Sequence, residues 1–378
     1  MTNRVLVTGG AGFIGSWLTQ DLVASGVPVR LIDNLSPQIH GEIPKLSYPW
    51  LDSPLVEFRR GDVRDAAFVS EALRDCEVVV HLAAETGTGQ SMYQIAHYYE
   101  VNVQATATLF EAIAVRNRQI KKIILASSRS IYGEGAYQID GEVTVPAPRN
   151  AQRLAAGQWE PVHTDGRPLR LIATPETVQP RPASIYAASK MALEQVGTVF
   201  SDAYGKSVIA LRFQNVFGER QSLGNPYTGI LSIFSNRMRQ GLPISIFEDG
   251  KESRDFVYVA DVVRGICRAM ELTAGGFHAV NIGSGKPIRV IEVAERLKSL
   301  LKSDSEIAIT GEFRTGDIRH CYADLTRANS LLGYMPAMSF EKGLERFVDW
   351  VVTQPLINDR SREAQKELVA HGLGAVGQ

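Results

Sequence analysis

Cysteine is scarce in this chain of 378 residues: Cys76, Cys267 and Cys321 stand far apart, with no Cys-x-x-Cys pair. That spacing excludes a disulfide framework and a structural zinc site, and it fits a reducing compartment. Excess charge is lacking too. The 40 Lys and Arg residues face 41 Asp and Glu, a formal net charge of -1, so no bulk field draws the chain to a nucleic acid or another polyanion. No apolar run is long enough to span a membrane. The sequence enters a strand-like run at Arg4 to Thr8, which leaves no room for a signal peptide. Internal repeats are missing as well. The expectation from these absences is a cytoplasmic protein with no metal centre, no nucleic-acid partner and no membrane partner. The remainder is ordinary for a globular protein, with 44% hydrophobic and 21% charged residues, and the length allows one large or two modest domains.

What is present begins at once. Arg4-Val5-Leu6-Val7-Thr8 reads as a buried strand and runs into Gly9-Gly10-Ala11-Gly12-Phe13-Ile14-Gly15. Helical spacing follows, with Ile14, Leu18, Leu22 and Val23 apolar, and Val29 to Asp33 forms a second strand ending on an acid. Strand, glycine turn, helix, strand and acid within some thirty residues make a dinucleotide-binding unit. Glycines permit the tight turn and let the backbone approach a diphosphate. The helix N-terminus offers unpaired N–H groups to the phosphates. Asp33 accepts from ribose hydroxyls and repels a 2′-phosphate, which predicts NAD over NADP. Gly9, Gly12 and Gly15 give one fingerprint spacing and Gly10, Gly12 and Gly15 another; the sequence does not choose between them.

Further βα units follow. Val56 to Arg59 leads to Gly61-Asp62-Val63, where Asp62 either reaches the adenine or caps the helix at Ala66 to Leu73. Val78 to Ala84 is a strand ending in the small residues Leu82-Ala83-Ala84, Tyr98 to Arg116 is a long helix, and Lys122 to Ala126 is a strand entering Ser127-Ser128-Arg129-Ser130-Ile131-Tyr132-Gly133. Alternating strands and helices predict an α/β fold, a Rossmann-type doubly wound parallel sheet. Ligands in such sheets bind at the carboxyl ends of the strands, where Ser128 falls. The proline- and glycine-rich stretch 134–181 is an insertion, either a surface loop or a lid. A sixth strand, Ser207 to Phe213, precedes Gln214-Asn215-Val216-Phe217-Gly218. From Gly224 the chain changes character, with helices near Ile230 to Gln240, Asp261 to Leu272 and Val290 to Leu301, a strand at Ile244 to Phe247, and the runs Arg254-Asp255-Phe256 and Gly316-Asp317-Ile318-Arg319. The expected division is a nucleotide-binding domain over 1–223, a smaller, mainly substrate-binding C-terminal domain over 224–358, and a frayed tail from 359.

Within Ser184-Ile185-Tyr186-Ala187-Ala188-Ser189-Lys190, a tyrosine and a lysine stand four positions apart in a helical segment, so both fall on one face. A phenol ionises near pH ~10. A neighbouring ammonium favours the phenolate, which makes the pair a proton acceptor for a substrate hydroxyl.

Together these pieces resemble the extended short-chain dehydrogenase/reductase family, specifically its nucleotide-sugar epimerases, from about Arg4 to Phe347. The motifs that carry the resemblance are Thr8 to Gly15, Asp33, Asp62-Val63, Leu82-Ala83-Ala84, Ser128 ahead of Tyr132-Gly133, Tyr186-x-x-x-Lys190 and Arg254-Asp255-Phe256. The resemblance implies Ser128, Tyr186 and Lys190 as catalytic residues. The serine bonds the reacting hydroxyl, the tyrosine is the base and the lysine holds the nicotinamide ribose. It implies an NAD site from Gly9, Gly12, Phe13, Ile14, Gly15, Asp33, Asn34, Asp62, Val63, Leu82, Ala83, Ala84, Asn102, Tyr186 and Lys190, and a nucleotide-diphosphate-sugar site from Ser91, Ser128, Asn215, Arg254 and Arg319, the two arginines on the diphosphate. It also implies a homodimer through the Tyr186 helix and the helix from Tyr98, both apolar on more than one face. The chain departs from the related 4,6-dehydratases, which carry an acid pair where Arg129 and Ser130 stand. The segment Glu85 to Ser91 looks nearer to bacterial dTDP-L-rhamnose 4-epimerases than to galactose-type enzymes such as UDP-glucose 4-epimerase. The activity implied is NAD-dependent 4-epimerisation of a nucleotide sugar by transient oxidation at C4. A dehydratase or reductase, or a non-catalytic NAD-binding sensor or scaffold, is the alternative.

Overall fold

The computed structural model describes residues 4–42, 44, 46–227, 229–314 and 316–375. Seven parallel strands make the main sheet, and the sequence shows why. β1 (Arg4–Thr8), β2 (Val29–Asp33), β3 (Val56–Arg60), β4 (Cys76–His81), β5 (Lys122–Ser128), β6 (Ser207–Phe213) and β7 (Phe277–Ile282) are short and rich in β-branched residues. The central ones are apolar without alternation because helices cover both faces. Their order is β7-β6-β5-β4-β1-β2-β3. The order reverses between β1 and β4, and the crevice of a doubly wound sheet opens at that switch point.

α1 (Phe13–Ala24) leaves β1 through the glycine turn and packs Leu18 and Leu22 into the core with Val5, Val7, Leu31 and Ile124. On the other face, Leu6, Val79, Ile123 and Leu125 pack against Leu109, Phe110 and Ile113 of α2 (Ala105–Val115). The expected long helix from Tyr98 is broken. A π-helical stretch, Tyr99–Gln104, precedes α2, and it carries the buried Asn102. α3 (Ile185–Tyr204) carries Tyr186 and Lys190, is capped by Ser184 through the Ala187 N–H at 3.1 Å, and ends on left-handed Gly205.

The second half is not a separate run of chain. Its residues return to the main sheet as β7, beside β6. The rest forms a second core where Asn215–Phe217 pairs with Ser253–Tyr258, which also pairs with Pro287–Arg289 and His320–Cys321. Phe217, Phe256, Phe340 and Phe347 fill it. The 134–181 insertion folds into a small antiparallel sheet, Glu142–Thr144, Tyr137–Ile139 and Arg170–Leu171, and Thr174 fastens it to Tyr322 and Asp324 by backbone hydrogen bonds of 2.8 and 3.1 Å. The tail is more ordered than its polar composition suggests. Ser361–Ala370 is a helix that buries Ala364 and Leu368 one turn apart. Asp359 pairs with Arg237, and Glu367 accepts from the hydroxyls of Tyr93 and Tyr227, each at 2.7 Å. The residues at 376–378 lie outside the described part.

Candidate active site

A cavity of about 500 Å³ opens at the carboxyl ends of the strands, lined at one end by Gly9, Gly12, Phe13, Ile14 and Gly15 and at the other by Ser128, Tyr186, Lys190 and Asn215. This size is that of a small-molecule or cofactor site. The glycine turn is built for close approach. Gly9 has φ +65°, and a Cβ there would stand 2.8 Å from the Ala83 nitrogen; a Cβ on Gly15 would stand 2.4 Å from the Gly9 carbonyl oxygen. Gly10 instead backs onto the Leu31 side chain. That settles the spacing: Gly9, Gly12 and Gly15 face the cavity. No side chain caps α1, and no acid lies in its first turn, so its N–H groups point at the cavity unscreened.

The acid end of β2 is fixed by main chain. Asp33 Oδ2 accepts from the Ala11 N–H at 3.1 Å and Oδ1 from the Leu35 N–H at 2.8 Å. Asn34 donates to Asp62 at 3.2 Å, and the Arg64 guanidinium bonded to Asp62 holds that carboxyl down to about 2. Asp62 lies three residues before an independent cap: Asp65, not Asp62, accepts from the N–H groups opening the helix Ala66–Ala72. Asp33, Asn34, Asp62, Val63, Leu82, Ala83 and Ala84 all line the cavity. Among the lining residues that the sequence reading did not mark are Tyr48, Arg220 and Gln214, which no periodicity distinguishes. Tyr48 donates to the Ala11 carbonyl at 3.1 Å, and the Arg220 guanidinium lies 5.0 Å from the Trp17 ring and 5.5 Å from the Tyr48 ring.

At the far end, Ser128 closes β5, and its hydroxyl accepts from the Ser130 N–H at 3.1 Å. Lys190 donates to the Ala126 carbonyl at 2.9 Å, with its nitrogen 5.8 Å from the Tyr186 ring centre. Burial is the largest influence on both groups: it pushes the Tyr186 phenol up, opposed by Ser128 and the Arg129 charge, and it pushes the Lys190 ammonium down to about 8. Behind the serine, Arg212 grips Glu194 at 2.7 and 3.0 Å, and Ser127 donates to the same carboxylate at 2.5 Å. This buried pair ties α3 to β5 and β6.

Two expected site residues stand behind the cavity. Asn102 accepts from the Glu85 N–H at 2.9 Å and donates to Ser189 at 3.0 Å, and Ser91 accepts from the Tyr186 N–H at 3.0 Å. They position the Tyr186 helix and the loop after β4. Neither arginine lines the cavity. Arg254 donates to the carbonyls of Ser253, Arg319 and Ile318 at 2.9, 3.0 and 2.7 Å. Arg319 is fully buried, with ion pairs to Glu160 at 2.6 Å, Asp249 at 2.7 Å and Glu248 at 3.0 Å. The expected contact of Arg319 with a diphosphate is corrected here: carboxylates already occupy its guanidinium. Nothing in a run such as Gly316 to Arg319 reveals acids drawn from residues 160, 248 and 249.

The sequence matches the NAD dependent epimerase/dehydratase family over residues 5–153 and 163–283. It is 37% identical over 354 residues to a protein of Burkholderia thailandensis named dTDP-L-rhamnose 4-epimerase, covering 93% of this chain and 95% of that one. Among solved structures, UDP-glucose 4-epimerase of Thermotoga maritima with UDP-glucose is similar at TM-score 0.73 and 30% identity, over 92% of this chain and 98% of that one. UDP-glucuronic acid 4-epimerase of Bacillus cereus, in complex with UDP-glucuronic acid and NAD, is similar at TM-score 0.75 and 26% identity, over 92% of this chain and 99% of that one.

Proposed function

Because this chain belongs to the NAD dependent epimerase/dehydratase family, we propose that it is an NAD-dependent nucleotide-sugar 4-epimerase whose base is Tyr186. The observation that carries the reading is the convergence of Ser128, Tyr186 and Lys190 on the same cavity as the glycine turn and Asp33. The residues present fit NAD. The Gly9 and Gly15 cradle has no room for a Cβ, the α1 N-terminus is uncapped, and Asp33 stands where a ribose hydroxyl would donate. When bound, NAD supplies a hydride acceptor that can return the hydride.

The chain's own residues do the rest. Tyr186 takes the proton from the sugar O4 as C4 is oxidised and gives it back when C4 is reduced on the other face. Ser128 holds O4 in line with the phenol. Lys190, anchored on the Ala126 carbonyl, places its ammonium at the tyrosine and the nicotinamide ribose. Arg254 stands outside the cavity lining; it is proposed to turn from the Ser253, Ile318 and Arg319 carbonyls to the diphosphate, which keeps the keto sugar tethered while it turns over. Asn215 lines the cavity with its buried Oδ1 unpartnered, as a substrate-binding group would.

Elimination chemistry lacks its acid. Arg129 and Ser130 follow Ser128, and the first carboxylate beyond them, Glu134, is occupied by Arg149 at 2.9 Å and the Arg319 N–H at 2.7 Å. That favours epimerase over dehydratase. The leaning toward a dTDP-6-deoxy-sugar rests on the Burkholderia relative. A homodimer through α2 and α3 is part of the proposal, supported by exposed Val115, Val199 and Tyr204 on these helices; a monomer by light scattering at micromolar concentration would remove it. A cytoplasmic location is supported by three free thiols. The test of the activity is incubation with a panel of UDP-, dTDP- and GDP-sugars, with products read by NMR. The C4 epimer should form with no net consumption of NAD. A 4-keto-6-deoxy product, or steady loss of cofactor absorbance, would contradict it.

A further inference from the structure

One polar side chain beside the reacting groups plays no part in the proposed proton and hydride transfers. Gln214 is 5% exposed, lines the cavity, and has neither its Oε1 nor its Nε2 hydrogen-bonded. Burying a free carboxamide is costly, because the donor and the acceptor both lose water and gain nothing. The fold makes room for it deliberately. A Cβ at position 283 would stand 2.6 Å from the Gln214 Cγ, so Gly283 leaves the space the side chain fills. Its obvious acidic neighbour is no partner: Asp255 accepts from Ser284, Gly285 and Ala323.

Strand register says where the amide sits. Ser128 on β5 pairs with Phe213 on β6, and Gln214 is the next residue beyond that pair. One step beyond the serine that holds O4, the cavity wall therefore carries a free acceptor and a free donor group, both on Gln214. A substituent on a carbon next to C4 is the part of the substrate one step beyond O4.

We propose that Gln214 binds a hydroxyl on a carbon flanking C4 and so sets which nucleotide sugars the site accepts. The hydroxyl donates to Gln214 Oε1 or accepts from Gln214 Nε2. A sugar that lacks oxygen there leaves these groups unpaired and is rejected. The inference rests on the epimerase reading and deepens it.

The test uses NAD-loaded full-length protein and four probes, UDP-glucose, dTDP-L-rhamnose, UDP and dTDP. Calorimetry gives the gain in affinity of each sugar nucleotide over its own nucleoside diphosphate. Gln214→Leu should cut that gain about tenfold while UDP and dTDP bind as before, the size of one lost hydrogen bond. The thermal midpoint of Gln214→Leu should hold or rise, since an unpaired buried amide is replaced by an apolar group of similar size; a structural amide would lower it. An undiminished gain in Gln214→Leu, or equal weakening of UDP and UDP-glucose, overturns the subsite and leaves the epimerase reading standing. Failure of the wild-type protein to turn over any sugar in the NMR panel overturns both.

Discussion

The two ends of the cavity are built on different principles. The nucleotide end is local: Gly9, Gly12, Gly15 and Asp33 come from one βα unit, and backbone does the work, with Ala11 and Leu35 N–H groups fixing the acid. The sugar end is assembled from afar. Ser128, Tyr186, Gln214 and Asn215 come from different strands and a helix, and side chains do the work. Polar groups at the nucleotide end are mostly satisfied before any ligand arrives, whereas Gln214 and Asn215 hold unpartnered atoms at the sugar end. A site that must bind one cofactor tightly gains from preorganised backbone. A site that must hold a sugar in two orientations keeps side chains free to meet either.

The largest effect should fall at the sugar end. Tyr186→Phe keeps the ring, so folding and NAD binding persist, and turnover should drop about 10²–10⁴-fold. Loss of NAD binding in that variant would erase the contrast between the ends.

Arg319 separates scaffold from site. With its guanidinium held by Glu160, Glu248 and Asp249, Arg319→Ala should destabilise the fold by up to about 3–5 kcal/mol, because it removes one of the two guanidinium partners of the buried Glu248. Arg254→Ala should instead raise KM, the mark of a lost ground-state contact. Denaturant melts with kinetics on both variants check this, and a stable Arg319→Ala with raised KM would return that arginine to the diphosphate.

At the nucleotide end, Asp33→Ala should narrow the preference for NAD over NADP, measured by calorimetry. A wild-type protein that binds NADP as tightly as NAD would contradict the reading of Asp33.

Lys190 gives the smallest effect and a signed one. Its ammonium is pushed down to about 8 by burial, so NAD affinity should weaken as pH rises through about 8, and Lys190→Met should flatten that dependence. For stability the sign is opposite. Between about 8 and the unfolded value near ~10.4 the unfolded chain binds more protons, so this group's penalty on folding is relieved as pH rises.

Much of the nucleotide end was legible because its signals are short-range. A glycine spacing, an apolar run and a strand-ending acid can be read within a few residues of one another. Tyr186 and Lys190 were legible for the same reason, one helical turn apart. The role of Arg319 was not, since its partners lie 159, 71 and 70 positions away in the chain. Gln214 was missed because a glutamine after a strand looks like any turn residue until its lack of partners is seen. The tail helix was missed because Ala364 and Leu368 are too thin a stripe to stand out from polar neighbours.

The central claim is oxidation and reduction at one carbon with no exchange to solvent. With the panel's turned-over nucleotide sugar deuterated at C4, the product should retain the label at C4, because the hydrogen passes to the bound NAD and returns from it. Loss of the label to water, or solvent deuterium appearing at C5, would mean proton transfer next to a ketone, and would contradict 4-epimerisation.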